Sequence, residues 1–116
     1  MVASSIDIID IMNKNQIQQG DVLITRLKTA PKGVTKTISK GRCVLAEGES
    51  TGHAHVVEND DAELIQLGER ILLRLGQAAT VTHEEHKPVT LEPGLYEIGR
   101  VAEYDYISKM VRPVAD

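Results

Sequence analysis

From Gly20 onward, short runs rich in Val, Ile and Leu follow one another along the chain, and Gly, Asp or Asn residues separate them. No stretch between these runs has the length and periodicity of a helix of about ten residues or more. Many short strands in close succession are typical of an antiparallel all-β domain, either a small barrel or a sandwich. The runs read DVLITRL, RCVLAEG, HAHVVE, AELIQL, RILLRL and ATVTH.

The segments between these runs are predicted to be loops and turns. KTAPKGVTKTISKG is predicted to be a long loop or loose hairpin, and ENDDA a break between two strands. A turn is predicted at Glu92-Pro93-Gly94, because Pro presets one backbone dihedral and Gly accepts a positive φ.

The two ends of the chain are less regular. Residues 1–19 are predicted to form an N-terminal arm or short helix, with Ser5 as its cap and NKNQIQQ as a connector, and residues 20–116 a single β domain. The tail ISKMVRPVAD is compatible with a last strand, a short helix or a segment that docks on a neighbouring subunit.

Length and composition set limits on the class of protein. A chain of 116 residues makes one domain, and an aromatic content of 3% means that Val, Ile, Leu and Ala must build its core. No apolar run approaches the roughly 20 residues that cross a bilayer, and the start of the chain lacks the plan of a signal peptide. We therefore expect a cytoplasmic protein without a membrane span. Cys43, the lone cysteine, is expected to be a buried, inert strand residue.

Positive charge is concentrated in one part of a chain whose net charge is -4. Six basic residues and no acidic ones lie between Val22 and Ala46, so this segment is a candidate for anion or nucleic-acid binding. A solvated loop is the favoured interpretation, because Gly and Pro interrupt the segment and no aromatic residue is available for base stacking. The candidate anion-binding residues are Lys32, Lys36, Lys40 and Arg42.

All four histidines of the chain fall into two short motifs, TGHAH at residues 51–55 and HEEH at residues 83–86. Side chains two apart on a strand share one face, so His53 and His55 can converge on one ion. His83 and His86 are three residues apart and can act together only if the chain turns there, which Pro88 makes plausible. The spacing predicts one shared metal site rather than four unrelated surface residues.

Imidazole and carboxylate groups are the ligands expected at such a site. Zinc is the first choice of metal, although imidazole also binds nickel, iron and copper. If HEEH turns, Glu84 or Glu85 comes within reach as an oxygen ligand or a catalytic proton acceptor. Ser50 and Thr51 are candidates for hydrogen bonds that orient an imidazole.

GESTGHAHVVE resembles the first metal-binding motif of cupins, in which an H-x-H pair and a following glutamate line a small β-barrel. That resemblance implies His53, His55 and Glu58 as ligands. LAEGESTGHAHVVE, THEEHKPVTLEPGLYEI and EYDY together look like a group of small uncharacterised bacterial and phage-associated proteins that share TGHAH, HEEH and an REY-like ending. The corresponding ending here is Ala102-Glu103-Tyr104. The second resemblance spans most of residues 20–116 and implies a common site on a β domain.

Two kinds of function fit these observations. The first is a small metal-binding β module whose ion has a structural role or supports binding of a protein partner or a second copy of the chain. The second is a metal-dependent enzyme, a hydrolase or a cupin-like oxygenase, in which Glu84 or Glu85 handles the proton. Nucleic-acid binding through the basic segment is a third idea and is not favoured.

Overall fold

A computed structural model describes residues 15–47 and 52–100, and every element within them is a β-strand. The prediction of an all-β domain is therefore confirmed. The strands are β1 (Gln16–Gln19), β2 (Val22–Leu27), β3 (Thr35–Glu47), β4 (Ala54–Leu67), β5 (Arg70–Leu75), β6 (Ala79–Thr82), β7 (Val89–Leu91) and β8 (Gly94–Arg100).

The strands form one antiparallel, barrel-shaped sheet that is nearly closed. Its order is β1-β2-β8-β5-β4-β6-β7, and β3 pairs with β4 outside this path. β4 is the centre of the arrangement, because it pairs with β3 along most of its length, with β5 through its second half and with β6 near its start. The pairing of β4 with β6 brings the two histidine motifs side by side.

Alternation of side chains along the strands divides the apolar residues between two faces. Leu73 points into the main core with Val57 and Ile24, whereas its neighbour Leu72 packs with Ile65 and Leu67 in a second cluster. Fully burying one such aliphatic side chain stabilises the fold by about 1.5–3 kcal/mol. The main core consists of Val22, Ile24, Cys43, Leu45, Val57, Ala62, Leu64, Leu73, Leu75, Ala79, Val81, Leu91 and Tyr96.

The loop predicted over residues 28–41 is correct for residues 28–34 and wrong for the rest, because β3 already begins at Thr35. Pairing with β4 continues past Gly41 by means of register shifts at Thr37/Ser39, Lys40/Arg42 and Val44/Ala46. Bulges of this kind absorb extra residues without ending a strand, and Gly41, with φ +82°, supplies the conformation that one of them needs. A glycine that suggests a turn is here part of a long, irregular strand.

The break predicted at ENDDA is also wrong, because β4 runs without interruption from Ala54 to Leu67. Its polar middle lies where the strand changes partner, from β6 at Val56 and Val57 to β5 from Ala62 onward. At that point the Asp61 carbonyl accepts a hydrogen bond from the Gly76 amide. The polar residues of ENDDA therefore mark the point where the pairing strand changes rather than the end of β4.

The predicted turn at Glu92-Pro93-Gly94 is confirmed between β7 and β8, with Gly94 at φ +156°. Part of the segment predicted to be a connector, Gln16–Gln19, forms β1 and pairs with β2 instead. The helix capped by Ser5, the C-terminal tail and Ala102-Glu103-Tyr104 lie outside the described residues. Within residues 15–47 and 52–100, no helix is long and apolar enough to cross a membrane.

Candidate metal centre

The sheet brings both histidine motifs to the same place. β6 pairs antiparallel with β4, with Val56 opposite Thr82 and Val57 opposite Val81. In this register the residues before Val56 lie beside the residues after Thr82, so TGHAH and HEEH meet. The chain leaves β6 at Thr82 and enters β7 at Val89, so HEEH lies in the intervening loop, as its spacing required.

The four imidazole rings form one cluster. The ring centroids of His55 and His83 are 4.3 Å apart, and those of His83 and His86 are 4.6 Å apart. The centroid distance is 5.6 Å between His53 and His83 and 6.0 Å between His55 and His86, whose rings are nearly parallel. The cluster is graded in burial, because the His55 ring is buried, His53 and His83 are half-buried, and His86 is exposed.

Donor atoms at the outer side of the cluster are spaced so that they can hold an ion. One ligand atom from each of His53, His83 and Glu84 lies within 4.8 Å of the others. Two atoms bound to tetrahedral zinc are about 3.4 Å apart, so small side-chain rotations would close this group on an ion. His53 precedes β4 rather than lying on it, which explains why it does not share the burial of His55.

The two glutamates of HEEH fix the loop in different ways. The Ala54 amide donates to Glu84 Oε1 at 2.9 Å, and this bond is the main reason that the pKa of Glu84 lies below its usual range. Glu85 Oε1 lies 3.5 Å from His53 Nδ1, and the Glu85 amide donates to His83 Nδ1 at 3.0 Å. An ion that binds His83 through Nδ1 would displace that amide. His83 is therefore the histidine whose present hydrogen bond competes with metal binding.

His55 is held in the form that binds metal. Gln19 Nε2 donates to the carbonyls of Val81 and Lys87, at 3.0 and 2.9 Å, so Gln19 Oε1 is left as an acceptor. His55 Nδ1 lies 2.8 Å from that oxygen and must donate to it, so in the neutral imidazole Nε2 keeps a free lone pair. Burial and the nearby His83 lower the pKa of His55, which favours this neutral imidazole.

The turn between β1 and β2 supplies further residues that the sequence motifs do not reveal. Asp21 Oδ1 lies 3.6 Å from His55 Nε2, while Asp21 Oδ2 accepts a hydrogen bond from Arg100 Nη1 at 2.9 Å. Gly20, with φ +60°, passes so close to the cluster that a Cβ there would lie 2.5 Å from His86 Nε2. The only sequence signal is Gly20-Asp21 before a strand, since Gly followed by any residue suits a type II′ hairpin turn.

The remaining candidates lie around the cluster or outside the described residues. Ser50 and Thr51 are outside them. Glu58, implied by the cupin resemblance, is exposed and lines a cleft of about 320 Å³ with Arg42, His83 and Glu84. This cleft opens beside His83.

Two of the four basic candidates lie opposite acidic residues in the sheet. Lys40 lies opposite Glu63 and Arg42 opposite Glu58 in the register of β3 and β4, so acidic neighbours offset their charge. Lys32 lies in the loop before β3, and Lys36 lies opposite Gln66. The arrangement favours a solvated edge over an anion site.

A family model, described as a domain of unknown function (DUF8820), matches residues 18–101. The chain belongs to the DUF8820 family. The matched segment of this DUF8820 domain includes both histidine motifs and the Gln19-Gly20-Asp21 turn. Comparison with curated proteins and with solved structures found no match.

Proposed function

We propose that this DUF8820 domain binds a divalent transition metal ion, with zinc as the first choice and nickel, iron or copper as alternatives. The ligands come from His53, His55, His83 and His86. In this proposal the ion has a structural role or supports binding of a partner.

One observation carries the proposal, the convergence of four imidazoles from two distant segments on a single cluster. Histidines that served only to solubilise the surface would have no reason to meet, and protonated rings this close would repel one another. A bound cation gives the neutral rings a shared partner. The orientation of His55 by Gln19 adds support, because metal-binding histidines characteristically use their second ring nitrogen in such a hydrogen bond.

Elemental analysis and calorimetric titration with zinc test the proposal on protein purified without a polyhistidine tag. We expect zinc to bind at near-neutral pH and to raise the midpoint of thermal unfolding. At a free concentration of 100 times the dissociation constant, the gain in unfolding free energy is about 2.7 kcal/mol. The proposal fails if no transition metal co-purifies and none binds when added.

His55→Ala tests the structural role. If the ion is structural, this variant loses most of the zinc-dependent stabilisation, because metal-binding energy then contributes to folding. Glu69→Gln, in the turn between β4 and β5, is the matched control and should keep the full zinc response. A folded His55→Ala variant with unchanged zinc-dependent stability would exclude His55 as a ligand.

A metal-dependent enzyme, a hydrolase or cupin-like oxygenase, is the second candidate. The cleft of about 320 Å³ beside His83 and Glu84 favours it, since a substrate there would lie next to the outer ligands. Glu84 or Glu85 would accept the proton from an activated water. The test is hydrolysis of a p-nitrophenyl ester by the zinc-loaded protein. Loss of hydrolysis in Glu84→Gln at unchanged metal content would support this function. Absence of hydrolysis by the wild type would count against a hydrolase.

We also propose where the domain acts and what kind of partner it binds. We place the domain in the cytoplasm and expect a protein partner or a second copy of the chain rather than nucleic acid. We also extend the site to the bacterial and phage-associated proteins that share TGHAH and HEEH. Sedimentation with and without zinc tests the self-association, and an unchanged monomer would leave a different protein as the partner.

A further inference from the structure

We infer that Asp21 is a metal ligand, which together with His55 forms the inner half of the metal centre. This inference rests on the proposed function and adds a carboxylate oxygen from a different part of the chain to the histidine donors. The residues come from the turn between β1 and β2 and from the start of β4.

The contact between His55 and Asp21 is the first argument. Because Gln19 holds His55 through Nδ1, the other ring nitrogen, Nε2, faces Asp21 Oδ1 at 3.6 Å. This separation is too long for a hydrogen bond. A cation between the two atoms could be bound by both. The separation is close to the roughly 3.4 Å expected between two ligand atoms of a tetrahedral zinc ion.

The orientation of Asp21 is the second argument. Arg100 holds Oδ2 through Nη1 at 2.9 Å, and its Nη2 donates to the Glu47 carbonyl at 3.0 Å. The guanidinium is thereby anchored to the backbone and holds Oδ2, while Oδ1 faces His55. An ordered ligand needs such support, and arginine satisfies one oxygen while the other stays available.

The depth of the pair is the third argument. The His55 side chain is only 2% exposed, whereas that of Asp21 is 49% exposed. An ion held by this pair would therefore lie at the boundary between the barrel interior and solvent. The rings of His83 and His86 adjoin His55 and are the candidates for the third position.

Asp21→Asn tests the inference, because asparagine keeps the shape and an acceptor for Arg100 but removes the negative charge. We expect zinc affinity to fall by about 10-fold or more, as losses around metal sites commonly do, with little change in the stability of the metal-free protein. With cobalt as the probe, the visible absorption spectrum should also change, because the ligand set differs. Asp60→Asn, an equal charge change on β4, is the control and should bind zinc as the wild type does.

The outcomes separate the inference from the proposed function. If the wild type and Asp21→Asn bind zinc equally and their cobalt spectra agree, Asp21 serves only to pair with Arg100 and the inference is wrong. If Asp60→Asn weakens binding as much as Asp21→Asn, general charge rather than ligation explains the effect, and the inference is again wrong. If the wild type binds neither metal, the proposed function itself fails.

Discussion

Gln19 shows how much one buried polar residue contributes to the site. Its side chain is 2% exposed and bonds to His55, Val81 and Lys87, so it links β1 to β4 and to both sides of the β6–β7 loop. Gln19→Leu would remove the hydrogen-bond partner of the His55 ring and of the Val81 and Lys87 carbonyls. Since an unsatisfied buried polar group costs about 1–3 kcal/mol, we expect a fall in unfolding free energy of about 2 kcal/mol or more, measured by urea denaturation.

Gln18 provides the matched control for that measurement. It is the preceding residue on the same strand, but its side chain is exposed and, among the described residues, donates only to the nearby Gly20 carbonyl. Gln18→Leu should change the unfolding free energy by no more than about 0.5 kcal/mol. Equal effects of the two variants would show that Gln19 has no special role beneath the histidines.

Single residues also show where sequence reasoning succeeds. The sequence predicts a buried strand residue at Cys43, and it is fully buried in β3, where burial raises the pKa of its thiol. Its apolar neighbours were enough to predict this. Asp21 and Gln19 carried no comparable signal, because their roles depend on residues far away in the sequence.

At the scale of elements, local pattern predicted strands well and their ends poorly. β2, β5 and β6 and the turn at Pro93 follow from short apolar runs bounded by turn residues. β3 and β4 are longer than the sequence predicts, because neither Gly41 nor the polar Asn59-Asp60-Asp61 ends its strand. Cross-strand pairing outweighed local propensity at both places, and the sequence of one strand does not reveal its partners.

The turn between β1 and β2 can be tested against a near-identical turn elsewhere. Gly20 and Gly68 each open a two-residue hairpin turn, with φ values of +60° and +62°. Alanine at either position incurs the same backbone strain of about 1–2 kcal/mol. At Gly20 the added methyl group would lie 2.5 Å from His86 Nε2 and 3.3 Å from His55 Cε1. At Gly68 it would meet no atom of the described residues within 4 Å, apart from its neighbours in the chain.

We therefore expect Gly20→Ala and Gly68→Ala to lose similar stability as metal-free proteins but to differ in zinc affinity. Displacement of His86 in Gly20→Ala should weaken zinc binding, while Gly68→Ala should bind as the wild type does. Calorimetric titration of both variants measures the difference. Equal zinc affinities would show that the approach of this turn to the histidines is unrelated to metal binding.

At the scale of the whole molecule, the site depends on closure of the sheet. TGHAH and HEEH could be assigned to one site from spacing alone, but their meeting depends on the pairing of β4 with β6, a long-range contact. The contribution of Asp21 depends on a third segment, placed by the pairing of β2 with β8 and by Arg100 at the end of β8. Contacts between segments this far apart in sequence are set by packing, which no local pattern encodes.

This layout predicts where metal binding will slow backbone hydrogen exchange. An ion held by His55, Asp21 and the HEEH histidines joins three segments, so zinc should protect the β1–β2 turn, the start of β4 and the loop between β6 and β7 together. The turn between β4 and β5, at the other end of β4, serves as an internal control and should exchange at the same rate with and without zinc. Protection confined to the β6–β7 loop and the start of β4 would mean that the ion binds the histidines without Asp21, because the β1–β2 turn would then remain free to open.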